Sequence, residues 1–250
     1  MKRLYFTVLL VMLSVVGTFQ YAAAADTGRT PFYVSAGTGL SWRQTVNDAA
    51  AKMAFKTGAE ITAAIGLRLE ELDNTFLQNF RFELEYARQF NKNDVVELHL
   101  MADKIEDAVG SVDVDSYSLV IYYDFPLRKL APSVKGFTSH LSPYVGLGLG
   151  VNRSILKGLS SPSLDAFANL PTSQGGLGKN GEGYNLSTVS DFVFVISPRF
   201  GVTYEMSKHF DVYMGGKYIQ SNKTLVDAYG IWMRPNVSFW DAHIGVRYNF

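Results

Sequence analysis

Val237-Ser-Phe-Trp-Asp-Ala-His-Ile-Gly-Val-Arg-Tyr-Asn-Phe250 is the stretch whose reading decides the fold. Counted back in twos from Phe250, one face carries Tyr248, Val246, Ile244, Ala242 and Trp240. The other carries Asn249, Arg247, Gly245, His243 and Asp241. One face is apolar and aromatic; the other is charged or tiny. A period of two marks a strand whose faces meet different surroundings. The run is also longer than an average soluble strand.

Working outward from this end, the same alternation recurs. Phe210, Val212, Met214 and Tyr218 oppose Asp211, Tyr213, Gly215 and Lys217. Phe194, Ile196, Phe200 and Val202 oppose Val195, Ser197, Arg199 and Glu205. Val145, Leu147 and Leu149 oppose Tyr144, Gly146, Gly148 and Gly150. Leu119, Ile121 and Tyr123 oppose Val120, Tyr122 and Asp124. Phe80, Phe82, Leu84 and Tyr86 oppose Arg81, Glu83, Glu85 and Ala87. Ile61, Ile65 and Leu67 oppose Glu60, Gly66, Arg68 and Glu70. Phe32, Val34, Leu40 and Trp42 oppose Tyr33, Gly37, Gly39 and Ser41. Segments of about ten residues suit tilted strands that cross a bilayer. Aromatics at the segment ends, such as Phe32, Trp42, Tyr204, Trp240 and Phe250, suit interfacial girdles. A soluble sandwich alternates too, but its strands are shorter and its apolar face needs a second sheet. The pattern predicts an all-β chain: a transmembrane up-and-down antiparallel β-barrel of about eight strands.

Composition agrees. After the first 25 positions no apolar run is long enough for a membrane helix. The 250-residue chain has no cysteine, which excludes disulfides, thiol catalysis and Cys-ligated metals. The formal net charge is zero and no basic block stands out, so nucleic acid is not an expected partner. The first segment reads as an address. Lys2 and Arg3 precede an apolar run from Leu4 to Val16, and Ala22–Ala25 offers an A-x-A site. This predicts a secretory signal peptide over 1–25, cleaved after Ala25 or Ala24, and a barrel domain over 26–250.

Barrels of this kind turn tightly on the periplasmic side and loosely outside. The expected outer connections are 44–57, 91–112, 154–188 and 223–236; the inner ones are 71–78, 126–140 and 206–209. The third outer loop is glycine-rich (Gly175, Gly176, Gly178, Gly181, Gly183) and is expected to be mobile. Residues 94–103 alternate weakly. A ninth membrane strand would break the even count of bacterial barrels, so they are assigned to the second outer loop, as an extension above the membrane.

An eight-stranded barrel is filled by its own side chains. The predicted lumen charge network is Arg68, Glu70, Arg81, Glu83, Glu85, Asp124, Arg199, Glu205, Lys217, Asp241, His243 and Arg247, with Glu60 and Asp211 on the same inward face. Buried charges must pair, because an unpaired one costs several kcal/mol. Glycines on that face are expected to make room for the long side chains. Two outcomes stay open: a salt-bridged plug, or a narrow water-filled path. A hydrolytic centre needs nucleophile, base and orienting group within reach of each other. Nothing in the sequence joins Ser197 or Ser221 to His243, and no metal-ligand spacing occurs. No catalytic residue, cofactor or metal is expected, and the chain is read as a non-enzyme.

The segments Phe80-Arg-Phe-Glu-Leu-Glu-Tyr86, Ser142-Pro-Tyr-Val-Gly-Leu-Gly-Leu-Gly150, Pro198-Arg-Phe-Gly-Val-Thr-Tyr204 and Ile244-Gly-Val-Arg-Tyr-Asn-Phe250 resemble the outer-membrane β-barrel superfamily. Within it they are most similar to bacterial surface antigens of the rickettsial major-surface-protein type; the OmpA-like barrel domain is a broader relative. The resemblance implies a surface antigen in the bacterial outer membrane, with outer loops for host or ligand contact, or alternatively a small porin for hydrophilic solutes. It implies outer-membrane lipid, the barrel-assembly machinery and a host surface ligand as partners. Tyr248 and Phe250 resemble the terminal signal read by that assembly machinery.

Overall fold

The computed structural model describes residues 31–47, 51–69, 77–98, 104–105, 109–130, 133, 136–174, 178, 186–189, 192–221, 226–228, 231–233 and 238–250. The signal segment 1–25, Glu70 and the loop glycines Gly175, Gly176, Gly181 and Gly183 lie outside the described residues. Eight long strands form the body: β1 (Phe32–Arg43), β2 (Gly58–Arg68), β3 (Phe80–Leu98), β4 (Val109–Asp124), β5 (Leu141–Ser160), β6 (Val193–Glu205), β7 (Phe210–Ser221) and β8 (Ser238–Asn249). Each pairs antiparallel with its neighbour along the chain. β8 then pairs with β1, from Tyr33 opposite Asn249 to Arg43 opposite Phe239. The sheet is closed and has no edge, as the alternation predicted.

The register sends each face where its chemistry requires. Outward side chains such as Leu40, Ile61, Leu119, Leu147, Phe200 and Ile244 stand exposed around the wall. Such a continuous apolar belt is sustainable only against hydrocarbon. Two aromatic girdles bound it. On the outer side Tyr86 meets Tyr117 at 5.3 Å between ring centres, and Tyr218 meets Trp240 at 4.8 Å. On the inner side Phe80 meets Tyr123 at 5.0 Å and Phe210 meets Tyr248 at 5.1 Å. No helix among the described residues is long and apolar enough to cross a membrane.

Strand length departs from the even spacing of the sequence reading. β3, β4 and β5 have 19, 16 and 20 residues. Residues 91–93, 109–112 and 154–160, read as loop, are ladder instead, and 94–98 continue the strand as the extension above the membrane that their weak alternation suggested. They form a sheet projecting beyond the outer girdle, joined by short strands Ala51–Phe55 and Lys104–Ile105 on β3 and Leu186–Val189 on β5. The outward face here meets water, so charge replaces apolar surface. Arg88 donates to Asp113 at 2.9 Å, Lys157 pairs with the same carboxylate, and Tyr86 donates to Asp115 at 2.9 Å. Burial pushes the Asp113 carboxyl up, but hydrogen bonds from Lys157 and Arg88 outweigh it and hold it below its usual range.

The inner connections carry short ordered elements among their described residues. The longest, 126–140, contains a one-turn helix (Leu127–Leu130) and a 3-10 turn (Gly136–His140). Phe137 stacks on Tyr204 at 4.7 Å, which folds this connection back against the wall. The 206–209 turn is closed by Met206 N–H donating to the Phe210 carbonyl at 3.0 Å and by Phe210 N–H donating to Ser207 Oγ at 3.1 Å. In the third outer connection, helix α1 (Pro162–Asn169) follows β5 directly.

The inward glycines make room chiefly for tyrosines, a correction to the expectation that they serve the charged side chains. A Cβ at Gly66 would fall inside the Tyr33 ring, and one at Gly146 would lie 2.5 Å from Tyr122 Cδ1. Cβ atoms at Gly201 and Gly215 would meet the Tyr144 hydroxyl. Of those facing charge, a Cβ at Gly148 would press on Ser197 and approach Arg199 at 3.2 Å. Tyrosine is wide as well as long, and a barrel this narrow holds its ring only where the facing residue has no side chain.

Two substitutions test this arrangement. Leu147→Arg places a charge on the lipid face at mid-wall and is expected to cost about 2–4 kcal/mol in urea unfolding from lipid vesicles. Gly66→Val drives a side chain into the Tyr33 ring and is expected to cost about 1–3 kcal/mol by the same measurement. A Leu147→Arg barrel as stable as the wild type would show that this face does not meet lipid.

Candidate functional site

The inward faces converge on one connected set of ion pairs filling the lumen. Its inner layer holds three cations and three carboxylates. Arg81, 1 % exposed, donates through Nε to Asp124 at 2.8 Å and through Nη1 to Glu83 at 2.5 Å. Tyr33 donates its hydroxyl to Glu83 at 2.7 Å. Arg247 lies 3.7 Å from Glu83 and 3.4 Å from Asp211, and Arg68 reaches the same Asp211 at 2.5 Å. Rings cover the guanidinium faces: Arg81 lies 3.8 Å over Tyr122 and 5.0 Å from Tyr144, and Arg247 lies 4.8 Å from Tyr33. Guanidinium is suited to this, since it bonds in its plane and stacks through its faces.

The middle layer centres on Lys217, which is fully buried. Its ammonium pairs with Glu60, lies 3.2 Å from Glu85 and approaches Asp241 at 3.9 Å. Arg199 donates to Glu85 at 2.6 Å and to the Tyr122 hydroxyl at 3.2 Å, tying this layer to the inner one. Two cations thus face three carboxylates. The amide of Gln89 helps the excess, donating to Glu60 at 3.3 Å and to Asp241 at 3.4 Å. A void of about 10 Å³ between the layers is bordered by Thr62, Tyr144, Tyr213 and His243. That is about the space of one water.

Of the residues singled out in the sequence, Arg68, Arg81, Glu83, Glu85, Asp124, Arg199, Lys217, Asp241 and Arg247 are brought into this set, with Glu60 and Asp211. Glu205 lines the inner mouth. His243 faces inward, but its Nδ1 has no hydrogen-bond partner. Ser197 Oγ accepts from Arg199 Nε at 3.3 Å. Among the described residues no group of three or more His, Asp or Glu is placed to hold a metal. Tyr248 and Phe250 meet edge to face at 5.2 Å on the outside of the inner girdle. Sequence reasoning missed Tyr33, Tyr122, Tyr144 and Gln89 as members of the set. The signal was available: the tyrosines alternate in step with the charges on the inward face.

No curated protein sequence matches the chain. Among solved structures, the barrel is similar to Neisserial surface protein A, at 18% identity and a TM-score of 0.52, over 90% of this chain and all of that one. It is also similar to the outer membrane protein OprG from Pseudomonas aeruginosa, at 15% identity and a TM-score of 0.53, over 89% of this chain and 97% of that one. At such identities the likeness speaks for the fold. The family model for the outer membrane protein beta-barrel domain matches residues 10–250. The closed eight-stranded wall, its apolar belt and its polar filling thus belong to a member of the outer membrane β-barrel protein family.

Proposed function

We propose that this barrel is a bacterial surface protein that works through its outer connections while its lumen stays shut. In this reading it is a non-catalytic surface antigen akin to the rickettsial major-surface-protein type, exported by its 1–25 segment and inserted by the barrel-assembly machinery through Tyr248 and Phe250. Outer-membrane lipid surrounds the wall, and a host or other surface ligand meets the loops. One observation carries the reading: the lumen is crossed by two buried, mutually bonded ion layers with room for about one water between them. A solute path needs a continuous wet column, and separating any of these pairs leaves a buried charge, at about 3–5 kcal/mol. The projecting sheet and α1 supply the contact surface outside.

The porin alternative draws on a different observation. Several inward polar atoms of the outer half, among them Ser41 Oγ, Asn91 Oδ1 and Asn152 Oδ1, have no hydrogen-bond partner in the protein. Water entering that far leaves the middle and inner layers as the barrier to conduction.

Single-channel recording of the refolded barrel in a planar bilayer separates the two. The surface reading predicts a silent wild type, and a barrel still silent in Arg199→Ala or Lys217→Met, which break the middle layer and leave the inner one in place. Steady wild-type openings that change in Arg199→Ala would favour the porin. Orientation is tested separately, on a chain free of cysteine. Asn169→Cys in α1 is expected to react with a membrane-impermeant maleimide on intact cells, and Lys208→Cys in the inner turn only after lysis. The opposite pattern would put the loops inside and end the surface reading.

A further inference from the structure

Below the inner ion layer the barrel opens into a compartment with a different character. A cavity of about 430 Å³ fills its inner mouth, a volume in the range of small-molecule pockets. Ser142, Thr203, Arg247 and Asn249, at the inner ends of β5, β6 and β8, form part of the wall. The inner connections contribute Arg128, Lys129 and Lys208.

Two independent features point to a ligand of one chemistry. The first is charge. Arg68, Arg128, Lys129, Lys208 and Arg247 line the cavity against Asp124, Glu205 and Asp211. Two of those carboxylates are already engaged: Asp124 accepts from Arg81, and Asp211 accepts from Arg68, Arg247 and Asn249. Counted over the whole lining, five cations face three carboxylates, so the field in the cavity is positive, and a low-dielectric wall concentrates it. The second is unmet hydrogen bonding. Thr203 is 3 % exposed, yet its Oγ1 has no partner in the protein. Nε of Arg247, which is 2 % exposed, has none either, nor has Asn249 Oδ1. Buried polar atoms are rarely left so without a partner from outside the chain. A hydroxyl and a guanidinium N–H offer donors to an anion, and the amide oxygen accepts from a neighbouring hydroxyl or N–H of the same ligand.

We propose that the inner-mouth cavity is a binding site for a small oxyanion-bearing ligand of the periplasmic side, a carboxylate or phosphate group held by Thr203, Arg247 and the basic rim. The site is independent of the outer loops and of whether the lumen conducts. It gives the barrel a second face of interaction, toward the compartment it was inserted from.

The test is titration of the mature barrel in lipid nanodiscs, read by backbone amide NMR at constant ionic strength. The probes are inorganic phosphate and, separately, N-acetylalanine, which carries a peptide-like terminal carboxylate. The proposal predicts saturable shifts at Thr203, Arg247 and Asn249 with none at Leu40 or Trp42. Thr203→Val keeps the side-chain shape and is expected to weaken binding about tenfold. Lys208→Ala, in an exposed turn, is expected to weaken it less, and carries the test should Thr203→Val fail to fold. A response to phosphate alone assigns a phosphate group, and a response to N-acetylalanine alone assigns a carboxylate; each supports the site. Shifts that never saturate with either probe, or saturable binding unchanged in the variants, would mean adventitious ions on surface lysines and overturn the proposal.

Discussion

In hydrocarbon, a backbone N–H or C=O without a partner costs several kcal/mol, and no water is at hand to relieve it. Every feature of this molecule follows from meeting that constraint with strands. An open sheet of these eight would leave two bare edges in the membrane, one on β1 and one on β8. The ladder from Tyr33–Asn249 to Arg43–Phe239 removes both by pairing the first strand with the last. Closure in turn fixes an inside and an outside. The two side-chain faces of each strand are then committed to different solvents, which is why one reads as lipid-soluble and the other as charged.

Closure also creates the second difficulty, a narrow interior lined by ionisable groups. The solution is reciprocal pairing across the lumen. Arg199 on β6 meets Glu85 on β3, and Lys217 on β7 meets Glu60 on β2, so strands that are not neighbours are bound through the centre. Tyrosine rings cover the guanidinium faces that hydrogen bonds leave bare, and glycines clear the space those rings need. Such a filling is not a large source of stability, since desolvation offsets much of the attraction. What it supplies is exclusivity: each charge is satisfied in one register, and a strand slipped by one residue would turn carboxylates toward lipid.

How much of this was legible follows the same physics. Strand number and faces could be read because the bilayer imposes a strict period of two. Where the wall leaves the membrane, that demand lapses. After Phe90 the sequence Asn91-Lys-Asn-Asp-Val-Val no longer alternates strictly, so the continuation of β3 to Leu98 showed only as a weak alternation from residue 94. The inward position of Arg199 and Glu85 was legible; their partnership was not, because it depends on which strands face each other once the barrel closes. The tyrosines were placed on the correct face but not recognised as partners of the arginines, since Tyr33 or Tyr122 reads as wall until its ring is seen against a guanidinium. The inner-mouth cavity left no sequence signal, for it gathers residues from seven strand ends and three connections.

The closing ladder is the point on which the account stands, and backbone amide exchange in lipid bilayers measures it directly. If β1 and β8 are paired as described, the amides of Val34–Leu40 and Ala242–Tyr248 exchange as slowly as those in the middle of the β3–β4 ladder. If they exchange as fast as the outer connections, the sheet is open between its ends, and the sealed lumen built on that closure fails with it.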